Sequence, residues 1–419
     1  MEVRNDSGES EGNRKRAPEK TAGRAGILVQ QIRDNNASQR KIIMTTGTQS
    51  LIIQAGPRAL KHLREHGLRP QDIDIVPGAA GGPKGLGLAK LDEHIFADWL
   101  PTGFSQRTQP IDLIGSSIGA WRFAAVCRGH TPAEARETLQ AFAAAYSEQK
   151  YPRKVDAAFV SAYARDLIDK LFRGHEASLL SHPHYRLNVL VVRGKGILHR
   201  EARGRSHAGF AMAAMANAVG RSHLRHFMDR TWFHAGGETS NGIGFQGGWD
   251  RFNTHHVGLT AENFGDALIA SGSIPLVLQG VRKISGAPAG TYWDGGIIDY
   301  HLHLPYPRTA GLVLYPHFTD RIVPGWLDKM VPWRKSASGA WLDNVILASP
   351  SREYLDRLPQ KRLPDRSDFK LFVDDYEGRM KNWRFAMEES ERLAEEFRAW
   401  CASPDPAARV KAFGTDGRQ

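Results

Sequence analysis

Cysteine is scarce in this sequence, and long apolar runs are missing from it. The two cysteines, Cys127 and Cys401, are too few for a disulfide framework, which favours a reducing compartment. No apolar run reaches the roughly 18 to 20 residues that a membrane-spanning helix needs. The N-terminus is polar and lacks the apolar core of a secretory signal. We therefore expect a soluble, cytoplasmic protein, with peripheral membrane contact as a further hypothesis.

Positive charge is concentrated in one region of the chain. The formal net charge is +11, and residues 150–235 hold 15 Lys and Arg against 6 Asp and Glu, with eight of the 17 histidines. Such a region suits phosphate groups, on lipid headgroups or on nucleic acid, and it equally suits a solvated basic surface. Composition alone leaves both interpretations open.

The first regular pattern follows a polar segment. Residues 1–46 are rich in Gly, Arg, Glu and Asn without sustained periodicity, which predicts a disordered N-terminal extension. Because regular spacing of apolar residues begins only after Met44, that residue is a candidate translational start. Residues 50–67 show helical spacing of apolar positions that ends in a glycine, and Pro57 either kinks this helix or marks a late start.

Short apolar strands then alternate with helical stretches. This alternation over residues 47–320 predicts an α/β domain with a central, mostly parallel sheet and helices on both faces. Residues 195–250, which combine basic residues, glycines and an Ala/Met-rich run, are expected to be an insertion that caps the site. Residues 321–419 are expected to form a helical extension packed on the domain.

A serine between two glycines marks the end of one apolar strand. In the segment IDLIGSSIGAWRF, residues 111–123, an apolar run predicts a buried strand and the residues from Ala120 onward predict a helix. Residues 115–119 read G-x-S-x-G, the pattern of a sharp strand-to-helix turn that presents a serine hydroxyl, here Ser117. The same letters also occur in ordinary tight turns, so the pattern needs partners elsewhere.

A reactive serine needs a base to take its proton and donors to stabilise the oxyanion that forms. The glycine-rich segment AAGGPKGLG has the donors, because its backbone N–H groups are uncovered at a strand-to-helix turn. Pro83 has no N–H, so the candidate donors are the backbone N–H groups of Gly81 and Gly82, with that of Lys84 as a further candidate. The segment is not a P-loop, since Gly85 stands where Ser or Thr should follow the lysine. A plain helix start or a phosphate cradle remains open.

The candidate base is Asp294 in the segment YWDGGIIDYH. It ends a short apolar strand and is followed by Gly295 and Gly296, so it can approach another backbone turn closely. An aspartate at such a position can also cap a turn.

Four sequence blocks in this order resemble those of patatin-like phospholipases. They are the G-G-x-[KR]-G turn at 81–85, the G-x-S-x-G elbow at 115–119, the segment ASGSIPLVL at 270–278 and the D-G-[GA] segment at 294–296. The resemblance covers roughly residues 70–320.

The resemblance implies a three-layer α/β fold and a lipid acyl hydrolase with a Ser–Asp dyad and no histidine. Carried over by position, Ser117 is the nucleophile, Asp294 the general base, Gly81 and Gly82 the oxyanion hole, and Lys84 and Gly85 the support of that turn. The chain departs from the family at Ala80, where a third glycine is common. Residues 195–250 and 321–419 also have no counterpart in the family, and together these departures leave the substrate class open between phospholipids and other esters.

Three alternatives use other residues. A Ser–Asp–His triad of the α/β-hydrolase type could take His317 as its third member, in the chain order that such enzymes use. A non-catalytic protein could bind lipid or nucleic acid through residues 150–235. His301 and His303 alternate along a predicted strand and could bind a metal, although no further ligand pattern completes a site and a structural role is favoured.

These observations set the expected ligands. We expect a lipid or other ester substrate, no cofactor, no metal and no nucleic-acid partner, and a calcium-ligand pattern is absent from the sequence. As a hypothesis, the basic region and the segment with Trp326 and Trp333 contact an anionic membrane.

Overall fold

The structure is a computed structural model that describes residues 49–236, 248–306, 311–331, 333–334 and 339–413. They lie in the unit Gln49–Gln419. The disorder expected for residues 1–46 concerns residues outside this description. Of the described helices, none has both the length and the apolar character needed to cross a membrane.

The described residues form eleven strands of one mixed sheet. The strands are β1 (Leu51–Ala55), β2 (Ile73–Gly78), β3 (Ile111–Ser116), β4 (Tyr185–Gly194), β5 (Met228–His234), β6 (Thr254–Gly258), β7 (Val281–Arg282), β8 (Thr291–Asp294), β9 (Leu312–Pro316), β10 (Val345–Pro350) and β11 (Val410–Ala412). Their order is β11-β1-β10-β9-β2-β3-β4-β5-β6, with β8 paired to β4 and β7 paired to β8. This mixed, mostly parallel sheet with helices on both faces confirms the predicted fold class.

Twelve α-helices connect or flank these strands in the described residues. They are α1 (Pro57–His66), α2 (Ala89–Glu93), α3 (Ile118–Arg128), α4 (Pro132–Ser147), α5 (Ala157–Phe172), α6 (Glu176–Leu180), α7 (Arg203–Val219), α8 (Phe264–Gly272), α9 (Arg352–Leu355), α10 (Asp368–Leu371), α11 (Tyr376–Glu389) and α12 (Glu391–Cys401). A 3₁₀ helix, Gly82–Leu88, precedes α2.

The middle of the sheet is fully buried, which explains its continuous apolar runs. Every residue of β3, β9 and β10 is buried. Parallel strands covered by helices on both faces have no solvent side, so their sequences do not alternate between polar and apolar residues. The edge strand β11 is exposed or half-buried along its length.

The segment before Pro57 is a strand, which corrects the expectation of helix from residue 50. Residues Leu51–Ala55 form β1 and pair antiparallel with β10 and parallel with β11. The helix α1 begins at Pro57, whose fixed φ and missing N–H suit the first helical position. Pro57 therefore marks the late start and not a kink.

Two segments that were expected outside the sheet supply strands to it. Residues 321–419, expected to be helical, contribute β10 and β11 in addition to α9–α12. Residues 195–250, expected to be an insertion, contain α7 and also β5, which pairs with β4 over seven residues. The short apolar run of β10 is as typical of a buried strand as of a helix segment, and β5, MDRTWFH, has no continuous apolar run, so periodicity alone cannot assign them.

Strands β3 and β8 meet end to end beside β4, and this junction positions the candidate site. Strand β3 runs parallel to β4 and ends with Ser116 opposite Leu190. Strand β8 runs antiparallel to β4 and ends with Asp294 opposite Val191. Since β5 occupies the other edge of β4 at these positions, β3 and β8 share one edge and point their C-terminal ends at each other.

Candidate active site

Ser117 sits in a strained turn between β3 and α3. Its backbone has φ 55° and ψ −127°, a conformation that residues other than glycine rarely adopt. A Cβ on Gly115 would lie 2.3 Å from Cα of Ala120, and a Cβ on Gly119 would lie 1.9 Å from the carbonyl oxygen of Gly78. Both flanking glycines are therefore required by close backbone contacts.

A second serine holds the turn from the other side. The Ser117 N–H donates a hydrogen bond of 2.8 Å to Oγ of Ser271, and that hydroxyl donates in turn to the Leu190 carbonyl, also at 2.8 Å. Ser271 belongs to α8 and is fully buried. The ASGSIP block thus has a structural task, to tie the elbow to β4, which sequence reasoning did not assign.

The side chains of Ser117 and Asp294 are in direct contact. Oγ of Ser117 donates a hydrogen bond of 2.7 Å to Oδ2 of Asp294, and the Gly296 N–H donates to Oδ1 at 2.7 Å. Both carboxylate oxygens therefore have donors, and the carboxyl is held in one orientation.

Burial makes the Asp294 carboxyl more basic than an ordinary aspartate. Asp294 is 5% exposed, and burial raises the pKa of its carboxyl to about 6, against the opposing effects of the Ser117 hydrogen bond, the Arg366 charge and the Gly296 N–H. A carboxylate with a pKa near the working pH can both take and return a proton.

The glycine-rich turn lies next to the elbow. Gly78 at the end of β2 pairs with Gly115 at the end of β3, so the two turns leave the sheet side by side. Gly82 has φ 56°, which glycine adopts without strain. Within the part of the chain that the structure describes, the N–H groups of Gly81 and Gly82 have no hydrogen-bond acceptor.

A small pocket opens beside Asp294 and the start of the glycine-rich turn. Its volume is about 10 Å³, close to the room that one water molecule needs. Its lining is formed by Ala80, Ile274, Pro275, Asp294, Gly296, Ile297, Tyr300, Trp326 and Arg366. The pocket therefore brings the carboxylate of Asp294 to a surface reached from solvent, and Arg366 is part of that surface.

Lys84 and Gly85 pack around the base of the glycine-rich turn. Nζ of Lys84 lies 3.6 Å from Oδ2 of Asp365 and 5.6 Å from the ring centroid of Phe318. A Cβ on Gly85 would lie 3.2 Å from side-chain atoms of both Arg122 and Ile118. Gly85 therefore allows the turn to approach the first residues of α3.

A buried ion pair joins the helices that follow the two turns. Arg122 of α3 donates to both carboxylate oxygens of Asp92 in α2, at 2.8 and 2.6 Å. Both side chains are almost fully buried, at 3% and 4% exposed. Removing one partner of such a pair leaves an uncompensated buried charge, so this pair fixes the glycine-rich turn relative to the elbow.

The histidines of the alternative hypotheses, His317 and His301, have their hydrogen-bond partners away from Ser117 and Asp294. Nδ1 of His317 lies 2.6 Å from the carbonyl oxygen of Thr319, and burial lowers the pKa of its ring to about 3. His317 makes no hydrogen bond to Ser117 or Asp294 in the described contacts. His301 is buried, with Nδ1 3.0 Å from the Arg321 carbonyl oxygen, and within the described ranges there is no cluster of metal-binding side chains around it.

The part of the chain that includes Ser117 and Asp294 matches a known protein family. Residues 106–301 match the family model described as patatin-like phospholipase. They form a patatin-like phospholipase domain. The family resemblance drawn from the four sequence blocks is thereby confirmed over these residues, and it supports the lipid acyl hydrolase and phospholipase family. No curated protein and no solved structure matches the chain.

The matched range divides the candidate site. Ser117, Ser271 and Asp294 fall inside the patatin-like domain, whereas the Gly81–Gly82 turn precedes it and Arg366 follows it. Arg366 was not predicted, because one arginine in the polar segment PDRSD carries no pattern of its own. Ser271 had a signal, since it stands in the ASGSIP block.

Proposed function

We propose that this protein is a serine acyl hydrolase that cleaves carboxylic esters of lipids through an acyl-enzyme intermediate, with Ser117 and Asp294 as a catalytic dyad. The observation that carries the proposal is the 2.7 Å hydrogen bond from Oγ of Ser117 to Oδ2 of Asp294 at a strained turn. A hydroxyl within hydrogen-bond distance of a base is the arrangement that nucleophilic catalysis requires. The patatin-like domain supports the choice of a lipid ester.

In the first half of the reaction, Oγ of Ser117 attacks the ester carbonyl carbon while the Asp294 carboxylate takes its proton. The carbonyl oxygen becomes an oxyanion, and the N–H groups of Gly81 and Gly82 donate to it. The intermediate then collapses, the carbon–oxygen bond to the alcohol breaks, and Asp294 returns the proton to the leaving alcohol. The acyl group stays bound to Ser117 as an ester.

In the second half, water replaces the alcohol. Asp294 takes a proton from the water as its oxygen attacks the acyl carbon, and the same N–H groups stabilise the second oxyanion. Collapse breaks the bond to Oγ of Ser117, which regains its proton from Asp294, and the free acid leaves. One carboxylate thus acts as base and acid in each half, which its raised pKa favours.

The dyad is preferred over the triad because the groups it needs are in contact with each other. Nδ1 of His317 lies within hydrogen-bond distance of the Thr319 carbonyl oxygen, and burial strongly lowers the pKa of its ring. His317 is therefore a poor general base at neutral pH. A non-catalytic binding protein would not need a serine held in a strained conformation beside a buried carboxylate.

We further propose that the mouth of the pocket contacts a membrane. Asn217 of α7 donates to Asp328 and accepts from Arg334, which joins α7 to the segment that begins with Trp326. Apolar side chains on both sides of this contact are exposed: Met215 by 63%, Val219 by 83%, Met330 by 62% and Trp333 by 70%. Exposed apolar residues beside a lipid-ester site suit insertion into a lipid surface. We define these four residues as the apolar rim.

The basic region of residues 150–235 is a weaker candidate for this contact. Many of its cations are already paired, among them Arg165 with Asp266, Arg173 with Asp169, and Arg186 with Asp112. Paired cations offer less net charge to anionic lipid. The apolar rim is therefore the membrane-contacting surface in this proposal.

Hydrolysis of p-nitrophenyl butyrate tests the catalytic proposal. Wild type should turn the ester over, and Ser117→Ala and Asp294→Asn should each lose about 10² to 10⁴ of kcat, the usual value of a general base or nucleophile. Matched controls are Ser116→Ala, one residue away, and Asp266→Asn on the surface, which should retain wild-type rates. An inactive wild type, or a Ser117→Ala variant that matches it, would contradict the proposal and favour a binding protein.

Sedimentation with phosphatidylcholine vesicles that contain phosphatidylglycerol tests the membrane contact. The double variant Met330→Ser, Trp333→Ser should bind about a hundredfold more weakly or worse, since each large apolar side chain contributes about 1.5 to 3 kcal/mol when buried and 1.4 kcal/mol is a factor of ten. Phe385→Ser removes an exposed aromatic of α11 and should bind like wild type. Equal binding by all three proteins would rule out the apolar rim.

A further inference from the structure

One arginine lies in the pocket beside Asp294 and comes from outside the patatin-like domain. Arg366 lines that pocket together with Tyr300 and Trp326. A Cβ on Gly82 would lie 3.3 Å from Nε of Arg366 and 3.7 Å from Oη of Tyr146. The guanidinium therefore stands over the glycine-rich turn, next to the position that the ester would take.

The guanidinium of Arg366 has no partner within the described part of the chain. It is half-buried and makes no hydrogen bond or ion pair to those residues. The nearby carboxylates are occupied: Asp294 accepts from Ser117 and Gly296, and Asp365 accepts from Ser367 and pairs with Lys84. The charge of Asp294 is close enough to interact with Arg366, but the guanidinium N–H groups of this half-buried cation donate to no described residue, and a bound anion would accept from them.

Two lysines add positive charge to the same place. Nζ of Lys329 lies 3.3 Å from Oη of Tyr300, whose side chain also lines the pocket. Burial lowers the pKa of Lys329, and the positive charge of Lys84 lowers it further. Against the three cations Lys84, Lys329 and Arg366, this corner holds two carboxylates, Asp365 and, when it is ionised, Asp294. The cluster therefore carries a net positive charge that an anionic ligand would neutralise.

We propose that Arg366 binds a negatively charged phosphate group of the substrate, beside the ester bond that Ser117 attacks. This inference rests on the proposed function and adds a preference to it: acyl esters that carry an anionic phosphate are cleaved faster than neutral esters. The planar guanidinium suits phosphate, since its N–H groups can form two parallel hydrogen bonds to it. Lys329 and Lys84 provide the surrounding positive potential.

The charge of Arg366 fits a permanent anion better than the transient oxyanion. The oxyanion exists only during the reaction, and the N–H groups of Gly81 and Gly82 are free to bind it. Arg366 carries its charge at all times, whereas Ser117 and Asp294 already supply the nucleophile and the base. Arg366 is therefore a specificity-determining residue and not part of the bond-breaking machinery.

Binding without turnover tests this assignment directly. In a Ser117→Ala background, calorimetry compares 1-O-hexylglycerol 3-phosphate, an ether that cannot be hydrolysed, with uncharged 1-O-hexylglycerol. The phosphate compound should bind about tenfold to a hundredfold more tightly, the value of hydrogen bonds to a charged group, and adding Arg366→Gln should remove most of that difference. Adding Lys370→Gln instead, which removes an exposed charge of α10, should leave the difference unchanged.

Inorganic phosphate separates a lipid headgroup from a free anion. If the site recognises phosphate on a substrate, inorganic phosphate should bind much more weakly than 1-O-hexylglycerol 3-phosphate. Equal affinities would mean a site for free phosphate and would overturn the proposal. Equal binding of the phosphate compound with and without Arg366→Gln would overturn it as well.

Hydrolysis distinguishes recognition from catalysis. At pH 8.5, where Asp294 is ionised with or without the Arg366 charge, Arg366→Gln should lower kcat/KM for 1-hexanoylglycerol 3-phosphate by about tenfold or more. It should leave 1-hexanoylglycerol nearly unchanged, with Arg366→Lys in between. An equal loss on both esters would assign Arg366 to the reaction step and contradict the proposal. If wild type cleaves neither ester, the proposed function fails, while the binding measurements still decide the role of Arg366.

Discussion

Ser117 and Asp294 are 177 positions apart in the chain, and their side chains are joined by a 2.7 Å hydrogen bond. The sheet produces this contact, because β3 and β8 approach each other from opposite directions along the same edge of β4. The serine follows the end of one strand and the aspartate ends the other. No lid, loop closure or partner chain is needed to bring the two groups together.

The rate of ester hydrolysis should depend on the protonation state of Asp294. The base must be a carboxylate, and burial raises its pKa to about 6, so kcat/KM should rise with pH, reach half its maximum near pH 6 and level off above pH 7. Steady-state kinetics with p-nitrophenyl butyrate from pH 4.5 to 8.5 measures this.

Arg366 offers a control for that pH profile. Its positive charge lowers the pKa of Asp294, so Arg366→Gln should move the midpoint to higher pH. A midpoint near the ordinary value of aspartate in wild type would show that Asp294 is not the group that limits the rate.

Asp294→Asn should stabilise the folded protein at neutral pH while it abolishes activity. Below pH 3.8 the Asp294 carboxyl is protonated in both states, and it contributes no cost. Between pH 3.8 and about 6 the unfolded chain loses this proton while the folded protein keeps it, so stability falls across this range. Above about pH 6 the loss is complete, and a pKa raised from 3.8 to about 6 corresponds to roughly 3 kcal/mol.

Thermal unfolding at two pH values measures this cost. The gain in Tm of Asp294→Asn over wild type should be large at pH 8 and small at pH 4. The control Glu262→Gln, at an exposed position that makes no hydrogen bond or ion pair to the described residues, should show no gain at either pH. A gain that is the same at both pH values would mean that the buried charge is not its cause.

Replacing His317 should leave the chemistry almost intact. Its Nδ1 lies 2.6 Å from the carbonyl oxygen of Thr319, and burial lowers the pKa of its ring to about 3. His317→Asn keeps a polar group near Nδ1, and its kcat/KM should stay within about threefold of wild type, compared with 10² to 10⁴ for a lost general base. Circular dichroism should verify folding. A folded His317→Asn variant with a loss of a hundredfold would revive the triad.

Gly119→Ala should disrupt the site through backbone contact alone. The added Cβ would lie 1.9 Å from the Gly78 carbonyl oxygen, so α3 and the β2 turn must separate. Overpacking of this kind costs about 1 to 3 kcal/mol or more, and kcat should fall because the elbow moves away from the glycine-rich turn. Gly204→Ala in α7, where a Cβ would meet nothing within 4 Å, should keep both stability and activity.

The elbow was predictable because its constraint is local. A serine flanked by Gly115 and Gly119 after an apolar run has few other structures to adopt, and the contacts of both glycines explain why. Asp294 was predictable only with the family resemblance, since an aspartate before two glycines also suits a turn cap. Its partner is set by the pairing of β8 with β4, which the sequence does not display.

Other parts of the structure carried weaker signals. Residues Leu51–Ala55 continue the apolar spacing of α1, and only the pairing of β1 with β10 and β11 separates strand from helix there. Strand β10 has an apolar run bounded by Asn344 and Pro350. This run is typical of a buried strand, but it does not indicate where in the sheet the strand lies. Arg366 reaches the pocket through tertiary packing alone, so no local pattern announces it.

Labelling with a fluorophosphonate probe, followed by peptide mass spectrometry, tests the dyad most directly. The probe reacts only with a serine hydroxyl whose proton can be taken, so the adduct should form at Ser117, be absent in Ser117→Ala, and form at least about a hundredfold more slowly in Asp294→Asn. Ser116→Ala should label at the wild-type rate. An adduct at another residue, or labelling of Ser117 at an unchanged rate in Asp294→Asn, would contradict the dyad.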